Sequence, residues 1–183
     1  MPLSFIKGEQ IYLRLLEKSD VSDEYLERIN EPDLGRYLAL TGEYPATKSS
    51  LSHWLQKYQG NKNNLAFVVA DSKLDRTVGV LTLSKISWID RRSDITLMPT
   101  DQDFWGNGHF SEAFRLLINY AFRRLGLLKL CHNSYADDDD RIKAVKELGF
   151  QLEATSLKDV PFEGNYHDEL VFGLLHDELV PTR

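Results

Sequence analysis

Between Phe110 and Gly126, apolar residues recur with the period of an α-helix. The apolar positions are Ala113, Leu117, Ile118, Ala121, Phe122 and Leu125. A stripe of this kind has to be buried against another layer of structure. Gly126 is the type of residue that commonly follows the last turn of a helix. The pattern therefore predicts a helix from about 110 to 125 that packs on a sheet.

Segments rich in apolar and branched residues predict strands on both sides of this helix. They lie at 11–16, 65–70, 77–83, 92–98, 127–135 and 170–175. Short turns separate 65–70, 77–83 and 92–98, which indicates an antiparallel meander. Further helices are predicted at 21–29, around 51–58 and at 139–148. This order predicts an α/β fold with a mixed sheet. Because no repeat or long linker divides the chain, we expect a single domain over residues 1–183.

Composition narrows the classes of function. A net charge of −6 argues against nucleic-acid binding as the main activity and suits a cationic or amine substrate. No run of about 18 uncharged apolar residues suggests a membrane span. With Cys131 as the single cysteine and no export signal, we expect a cytoplasmic protein. The histidine spacing predicts no metal site, and helix capping explains the acidic run Asp137–Asp140.

A strand, a glycine turn and the start of a helix follow one another between Asp94 and Ala113. In the turn, Gly106 and Gly108 can adopt backbone angles that other residues avoid. The first N–H groups of the following helix lack partners within the helix and face its positive dipole end. Two phosphates would satisfy these groups. The motif alone is short, and a plain helix-entry turn remains an alternative.

The chain resembles the GNAT family of N-acetyltransferases, especially its ribosomal-protein N-terminal and spermidine acetyltransferase branch. The matching segments, in order, are Ile11–Leu16 with Asp20, Asn30–Pro32 with Arg36–Leu38, Trp54–Leu55, Arg91–Ile95, Trp105–Gly108 with Glu112–Ala113, Lys146–Phe150 and Tyr166–Asp168. The resemblance implies a GNAT fold, in which a largely antiparallel sheet flanked by helices splays apart between its fourth and fifth strands. In this chain those strands are 92–98 and 127–135.

The resemblance also implies a site for acetyl-CoA between the splayed strands. Its pantetheine arm would bond to the backbone of Leu97, Met98 and Pro99. Its pyrophosphate would lie on the amides of Trp105, Gly106, Asn107, Gly108, His109, Phe110 and Ser111. Trp105 and Phe110 depart from the family pattern, so the Phe110 side chain has to turn away from the phosphates. For His109, a contact to CoA and a solvent-facing first-turn position are both open.

Other positions depart from the family pattern more strongly. Where the branch commonly has Asn, Ser and an acidic Tyr, this chain has Asp138, Arg141 and Val145. Arg141 is a candidate for pairing with a CoA phosphate or for stabilising the departing thiolate. Asp138 is a candidate contact for the substrate amine, and helix capping is its alternative role.

For proton transfer, the resemblance points to Asp94, which stands where many relatives carry Glu. Its carboxylate could take the amine proton through water, or it could be an ordinary strand-end residue. Tyr135 could donate a proton to the thiolate or only cap the core. Cys131 is expected to be a packed core thiol, because direct attack by the amine needs no covalent enzyme intermediate.

These inferences predict transfer of an acetyl group from acetyl-CoA to a primary amine by direct attack in a ternary complex. The acceptor could be a protein N-terminus, a polyamine or an amino sugar. The missing Asn, Ser and Tyr leave one alternative class, an acyl-CoA-binding sensor without turnover. A homodimer is also left open.

Overall fold

A computed structural model of the protein describes residues 4–31, 45–100, 108–162 and 164–178. The strands are β1 Ile6–Lys7, β2 Ile11–Leu15, β3 Leu65–Asp71, β4 Thr77–Ser87, β5 Arg92–Pro99, β6 Lys129–Tyr135, β7 Gln151–Phe162 and β8 Asn165–Leu175. The α-helices in these ranges are α1 Asp23–Ile29, α2 Lys48–Gln56, α3 His109–Arg123 and α4 Asp139–Glu147. Single 3₁₀ turns lie at Lys18–Asp20 and His176–Glu178.

All eight strands belong to one sheet, in the order β1-β2-β3-β4-β5-β6-β8-β7. Neighbouring strands are antiparallel except for β5 and β6, which are parallel. Helix α3 lies in the connection between these two strands. Parallel neighbours need such a crossover connection, which is usually an α-helix. The predicted α/β fold with a mixed, largely antiparallel sheet is confirmed. The predicted fourth and fifth strands are β5 and β6.

Local sequence determines where the helices begin and end. The Ser22 hydroxyl accepts a hydrogen bond from the Tyr25 N–H at 3.0 Å, so Ser22 is the N-cap of α1. Thr47 and Ser50 form a reciprocal capping box at the start of α2. Gly126 and Gly149, which follow α3 and α4, have φ angles of 69° and 98°. These are left-handed conformations that favour glycine.

The core has one cluster of buried side chains on each face of the sheet. The larger cluster joins the apolar stripe of α3, including Phe114 and Leu117, to Ile95 and Leu97 of β5. The smaller cluster holds α2 against the opposite face, where Trp54 packs with Val80 and Met98. Leu97 and Met98, which are adjacent in β5, therefore belong to different clusters, as the period of a strand requires.

The strand β7 was not predicted from the sequence, and β8 begins at Asn165 rather than at 170. Most residues from Gln151 to Val160 are exposed, because β7 forms an edge of the sheet and, among the described strands, pairs only with β8. An exposed edge strand lacks the apolar alternation that identifies a half-buried strand. The two-residue strand β1 was missed because it is too short to show a period.

No helix in the described part of the chain could cross a bilayer. Helix α3, for example, has 15 residues, and a transmembrane helix needs about 20 apolar residues.

Candidate active site

The strands β5 and β6 pair over only three residues. Arg92, Ser93 and Asp94 lie opposite Lys129, Leu130 and Cys131. Beyond Asp94, β5 continues to Pro99 and remains paired with β4, while β6 continues to Tyr135 and remains paired with β8. The two strands therefore diverge after Asp94 and leave an opening in the sheet, which we call the split.

One edge of β5 faces the split with its backbone groups. In a strand, both polar backbone groups of a residue point to the same neighbour, and successive residues alternate. Since the Arg91 carbonyl accepts a hydrogen bond from the Lys129 N–H at 3.3 Å, the backbone groups of Ser93, Ile95 and Leu97 also face the β6 side. No strand among the described residues pairs with this edge beyond Asp94. The Leu97 N–H and C=O are thus positioned to bond an extended ligand, whereas Met98 faces β4.

Gly108 is the N-cap of α3 and has a φ of 82°. A side chain added at Gly108 would meet no atom of the described residues within 4 Å, so the glycine is needed for its backbone conformation. Phe110 is 2% exposed and stacks on Phe114 at 4.4 Å between ring centroids. Its ring does turn into the core, so Phe110 can offer an anion only its backbone. Ser111 is half-buried in the first turn. Trp105, Gly106 and Asn107 lie outside the described residues.

His109 is buried and does not face solvent. Its Nε2 lies 3.6 Å from Oδ2 of Asp71, the last residue of β3. Backbone N–H groups of Leu74 and Lys73 donate to Asp71 at 2.8 and 2.7 Å and lower the pKa of its carboxyl group, with His109 adding to the effect. The solvent-facing alternative for His109 is wrong, because the side chain ties the start of α3 to β3.

Asp138 and Arg141 form a buried pair at the start of α4. Asp138 is the N-cap, and its Oδ1 accepts a hydrogen bond from the Arg141 N–H at 3.2 Å. The Arg141 Nε lies 3.2 Å from Oδ2 of Asp138, and both side chains are 5% exposed. The capping role of Asp138 is confirmed. Val145, at the position of the family's acidic Tyr, is fully buried in the larger core cluster.

Asp94 ends the paired segment of β5 and is itself in an ion pair. The exposed Lys85 ammonium donates to its carboxylate at 2.9 Å, and this contact raises the pKa of Lys85. Opposite Asp94, Cys131 is half-buried rather than packed in the core. The prediction of a core thiol is wrong, because the Cys131 side chain points to the face opposite that of Leu130 and His132. Partial burial raises its pKa, which favours the unreactive thiol.

Tyr135 is the last residue of β6 and lies opposite Glu169 of β8. The Glu169 carboxylate accepts a hydrogen bond from Nδ2 of Asn133 at 3.0 Å. Burial raises the pKa of Glu169, and the negative charges of Asp159 and Asp94 add to this effect. Glu169 was not predicted from the sequence, because its relation to Asp94 depends on the order of β5, β6 and β8 in the sheet. This face of the split carries negative charge.

His132 is a second residue of this region that was not predicted from the sequence. It is 1% exposed on β6, and its Nδ1 lies 2.8 Å from the Ile95 carbonyl oxygen. Burial lowers the pKa of His132 to about 3, and the positive charge of Arg141 contributes. The sequence pattern that could have identified His132 is its place between Leu130 and Ser134, where the alternation of a strand turns a titratable side chain inward. Within the described ranges, no three His, Cys, Asp or Glu side chains are grouped as metal ligands.

Comparisons with known proteins agree with this architecture. The sequence model of the acetyltransferase (GNAT) domain matches residues 10–151. A Bacillus subtilis (strain 168) protein named "Putative ribosomal N-acetyltransferase YdaF" is 28% identical over 179 residues, with 93% of this chain and 94% of that protein covered. The uncharacterized N-acetyltransferase p20 of Bacillus licheniformis is 25% identical over 176 residues, which cover 93% of this chain and 95% of that protein.

Among solved structures, the fold is similar to that of the spermidine N-acetyltransferase from Vibrio cholerae in complex with CoA and spermine. The TM-score is 0.83 at 21% identity, and the match covers 93% of this chain and 98% of that chain. At this identity the similarity shows the fold. Together with the domain match over residues 10–151, it leads to one conclusion. The chain belongs to the GNAT family of N-acetyltransferases.

Proposed function

We propose that the protein binds acetyl-CoA in the split between β5 and β6 and transfers the acetyl group to a primary amine by direct attack. The observation that carries this proposal is the unpaired edge of β5 beyond Asp94. An extended chain with amide groups can add to such an edge as a strand would. In this role, Leu97 bonds the pantetheine arm through its backbone, and the Pro99 carbonyl lies on the same edge, whereas the backbone of Met98 faces β4.

The start of α3 supports the position of the pyrophosphate. Gly108 introduces the helix with a left-handed backbone and an open approach. The first amide groups of α3, at His109, Phe110 and Ser111, lie at the positive end of a 15-residue helix. We place the phosphates on these groups together with the loop residues Trp105, Gly106 and Asn107. The buried side chains of His109 and Phe110 leave their backbone amides for this purpose.

Arg141 adds positive charge beside the split. Its guanidinium group is buried with Asp138, so a direct bond to a phosphate would require the pair to open. In our proposal, the positive charge of Arg141 stabilises negative charge of the ligand in the split without a direct bond. Asp138 holds the Arg141 side chain in place. The alternative contact between Asp138 and the substrate amine would separate the same pair.

The amine has to lose a proton before it attacks. At pH 7, an α-amine with a pKa near 8 needs about 1.4 kcal/mol to become neutral, whereas a lysine-like amine needs roughly 4.6 kcal/mol. We assign Asp94 as the acceptor of this proton through water, because its ion pair with Lys85 lies at the solvent-exposed side of the split. The amine nitrogen then bonds to the acetyl carbon as the carbon–sulfur bond breaks. The departing thiolate takes a proton from the candidate donor Tyr135, and the second proton of the amine replaces it on the Tyr135 hydroxyl.

We propose a protein N-terminus as the first acceptor class, since the B. subtilis relative carries a ribosomal N-acetyltransferase name. A polyamine is the second candidate, because Asp94, Glu169 and Asp159 place several carboxylates near the split. Carboxylates attract a polycation through long-range charge.

Release of free thiol from acetyl-CoA tests the proposed reaction. The panel contains peptides with a free N-terminus, the same peptides with a blocked N-terminus, spermidine, spermine and glucosamine. We expect thiol release that depends on one class of free amine. Tight binding of CoA with no release on any amine would contradict the catalytic proposal and favour a sensor.

A further inference from the structure

His132 lies at the point where the sheet opens. The last residue pair between β5 and β6 is Asp94 with Cys131, so Ile95 and His132 are the first residues beyond it. The His132 ring points into the larger core cluster, where its edge-on neighbours are Phe114 and Phe150 at centroid distances of 5.6 and 6.3 Å. Its position is therefore fixed by aromatic packing on the α3 side of the sheet.

The imidazole takes the place of a backbone donor. In a parallel ladder that continued past Asp94, the Asn133 N–H would donate to the Ile95 carbonyl. Here Nδ1 of His132 lies 2.8 Å from that carbonyl oxygen. A side-chain hydrogen bond thus satisfies a buried acceptor without drawing the two strands together.

The protonation state of the ring follows from this contact. A carbonyl oxygen only accepts, so Nδ1 carries the hydrogen and Nε2 has none. The Nε2 atom is buried and has no hydrogen-bond partner within the described part of the chain. Burial and the nearby Arg141 charge lower the pKa of His132 to about 3. The ring therefore stays neutral and keeps one tautomer near neutral pH.

We propose that His132 is a positioning residue that holds the split open by occupying the Ile95 carbonyl. The role rests on the proposed function, in which Leu97 bonds acyl-CoA at the same edge of β5. If the Nδ1 donor were removed, the Ile95 carbonyl would be left to the Asn133 amide. Pairing of β5 with β6 would then advance toward Leu97 and compete with the ligand.

Three variants at His132 separate this role from simple packing. In His132→Asn the amide nitrogen is the same number of bonds from the backbone as Nδ1, so the donor is kept. In His132→Gln the amide nitrogen lies one bond further out, and in His132→Leu no donor remains. CoA affinity is measured by titration calorimetry, and exchange of the Asn133 amide is followed by NMR. Thermal midpoints report the cost to folding.

We expect His132→Leu to weaken CoA binding by about 5- to 150-fold, the range for loss of a buried hydrogen bond. The KM for acetyl-CoA should rise with it while kcat changes little. The Asn133 amide should become better protected in the free protein. His132→Asn should stay within about threefold of the wild type, and His132→Gln should resemble His132→Leu.

Two results would overturn the proposal. One is unchanged CoA affinity and unchanged Asn133 exchange in His132→Leu. The other is equal loss of affinity in His132→Asn and His132→Gln, which would show that only packing matters. The Asn and Gln variants decide the matter even if the Leu variant fails to fold. Failure of the wild type to bind CoA would instead refute the proposed function.

A measurement on the unmodified protein gives an independent check. Long-range proton–nitrogen NMR spectra distinguish a protonated Nδ1 from a protonated Nε2. We expect a protonated Nδ1 and a bare Nε2, unchanged between pH 5 and pH 8. A protonated Nε2 would remove the bond to Ile95 and contradict the assignment.

Discussion

Substitution of Gly108 by alanine tests how the start of α3 serves the site. The φ angle of 82° at Gly108 costs an L-residue about 1–2 kcal/mol. Alanine also restricts the unfolded chain, which offsets about 0.4–1 kcal/mol of that cost. An added Cβ meets no atom within 4 Å among residues 4–31, 45–100, 108–162 and 164–178, so these residues contribute no steric clash. The expected net cost is therefore about 1 kcal/mol.

This cost is divided between folding and binding. If Gly108→Ala keeps the left-handed backbone, the free energy of unfolding falls and CoA affinity is unchanged. If the backbone relaxes, the amides at the start of α3 turn away, and the dissociation constant of CoA rises by up to about fivefold. We expect a measurable part of the cost to appear as lost affinity, since the phosphates need these amides.

Two glycines provide matched controls for Gly108→Ala. Gly60 and Gly164 have φ angles of 66° and 76°, and at either position an added Cβ meets nothing within 4 Å in the described part of the chain. Gly60→Ala and Gly164→Ala should lose similar stability in urea titrations without weakening CoA binding in calorimetry. Gly108→Asn should recover part of the affinity, because Asn tolerates the left-handed region. Equal CoA affinity in all three alanine variants would contradict the loss of affinity that we expect for Gly108→Ala.

Three further substitutions test the charged groups. Arg141→Leu leaves Asp138 buried without its cation and should lower the free energy of unfolding, measured in urea, by about 3–5 kcal/mol. A further Asp138→Asn substitution should recover most of this loss. No recovery would contradict the pairing. The lowered pKa of Asp71 gives stability that is present above the ordinary carboxyl pKa and is lost as the pH falls through the folded-state value. Asp71→Asn should therefore flatten the acid side of a stability–pH curve, and an unchanged acid slope would be inconsistent with it. Asp94→Asn should lower kcat by about 10²-fold or more without changing the KM for acetyl-CoA, whereas Lys85→Met should retain most activity. Equal losses in both variants would point to the ion pair rather than to proton transfer.

The sequence predicted those features that depend on local pattern. The apolar period of α3 located a helix within two residues of its ends, because every residue of its stripe except the half-buried Leu125 is buried in one cluster. The glycine turn placed Gly108 before that helix, and the observed φ explains why glycine is needed there. Strand β7 was missed, since an exposed edge strand such as Gln151–Phe162 has little apolar alternation to read.

The contacts around the split could not be predicted in the same way. The pairing of Asp94 with Lys85 depends on the register shift between Ser84 and Ser87 in β4. His132 and Ile95 are 37 residues apart in the sequence, and their contact depends on where the pairing of β5 with β6 stops. Such relations arise from strand order and register, which the apolar pattern of a single segment does not contain.

A crystal structure of the protein with CoA tests the central claim most directly. We expect the pantetheine arm to lie between β5 and β6, bonded to the backbone at Leu97, with the pyrophosphate on the amides that follow Gly108. The His132 ring should keep its contact with the Ile95 carbonyl. CoA bound elsewhere, with β5 and β6 still apart and unoccupied, would contradict the assignment of the split as the active site.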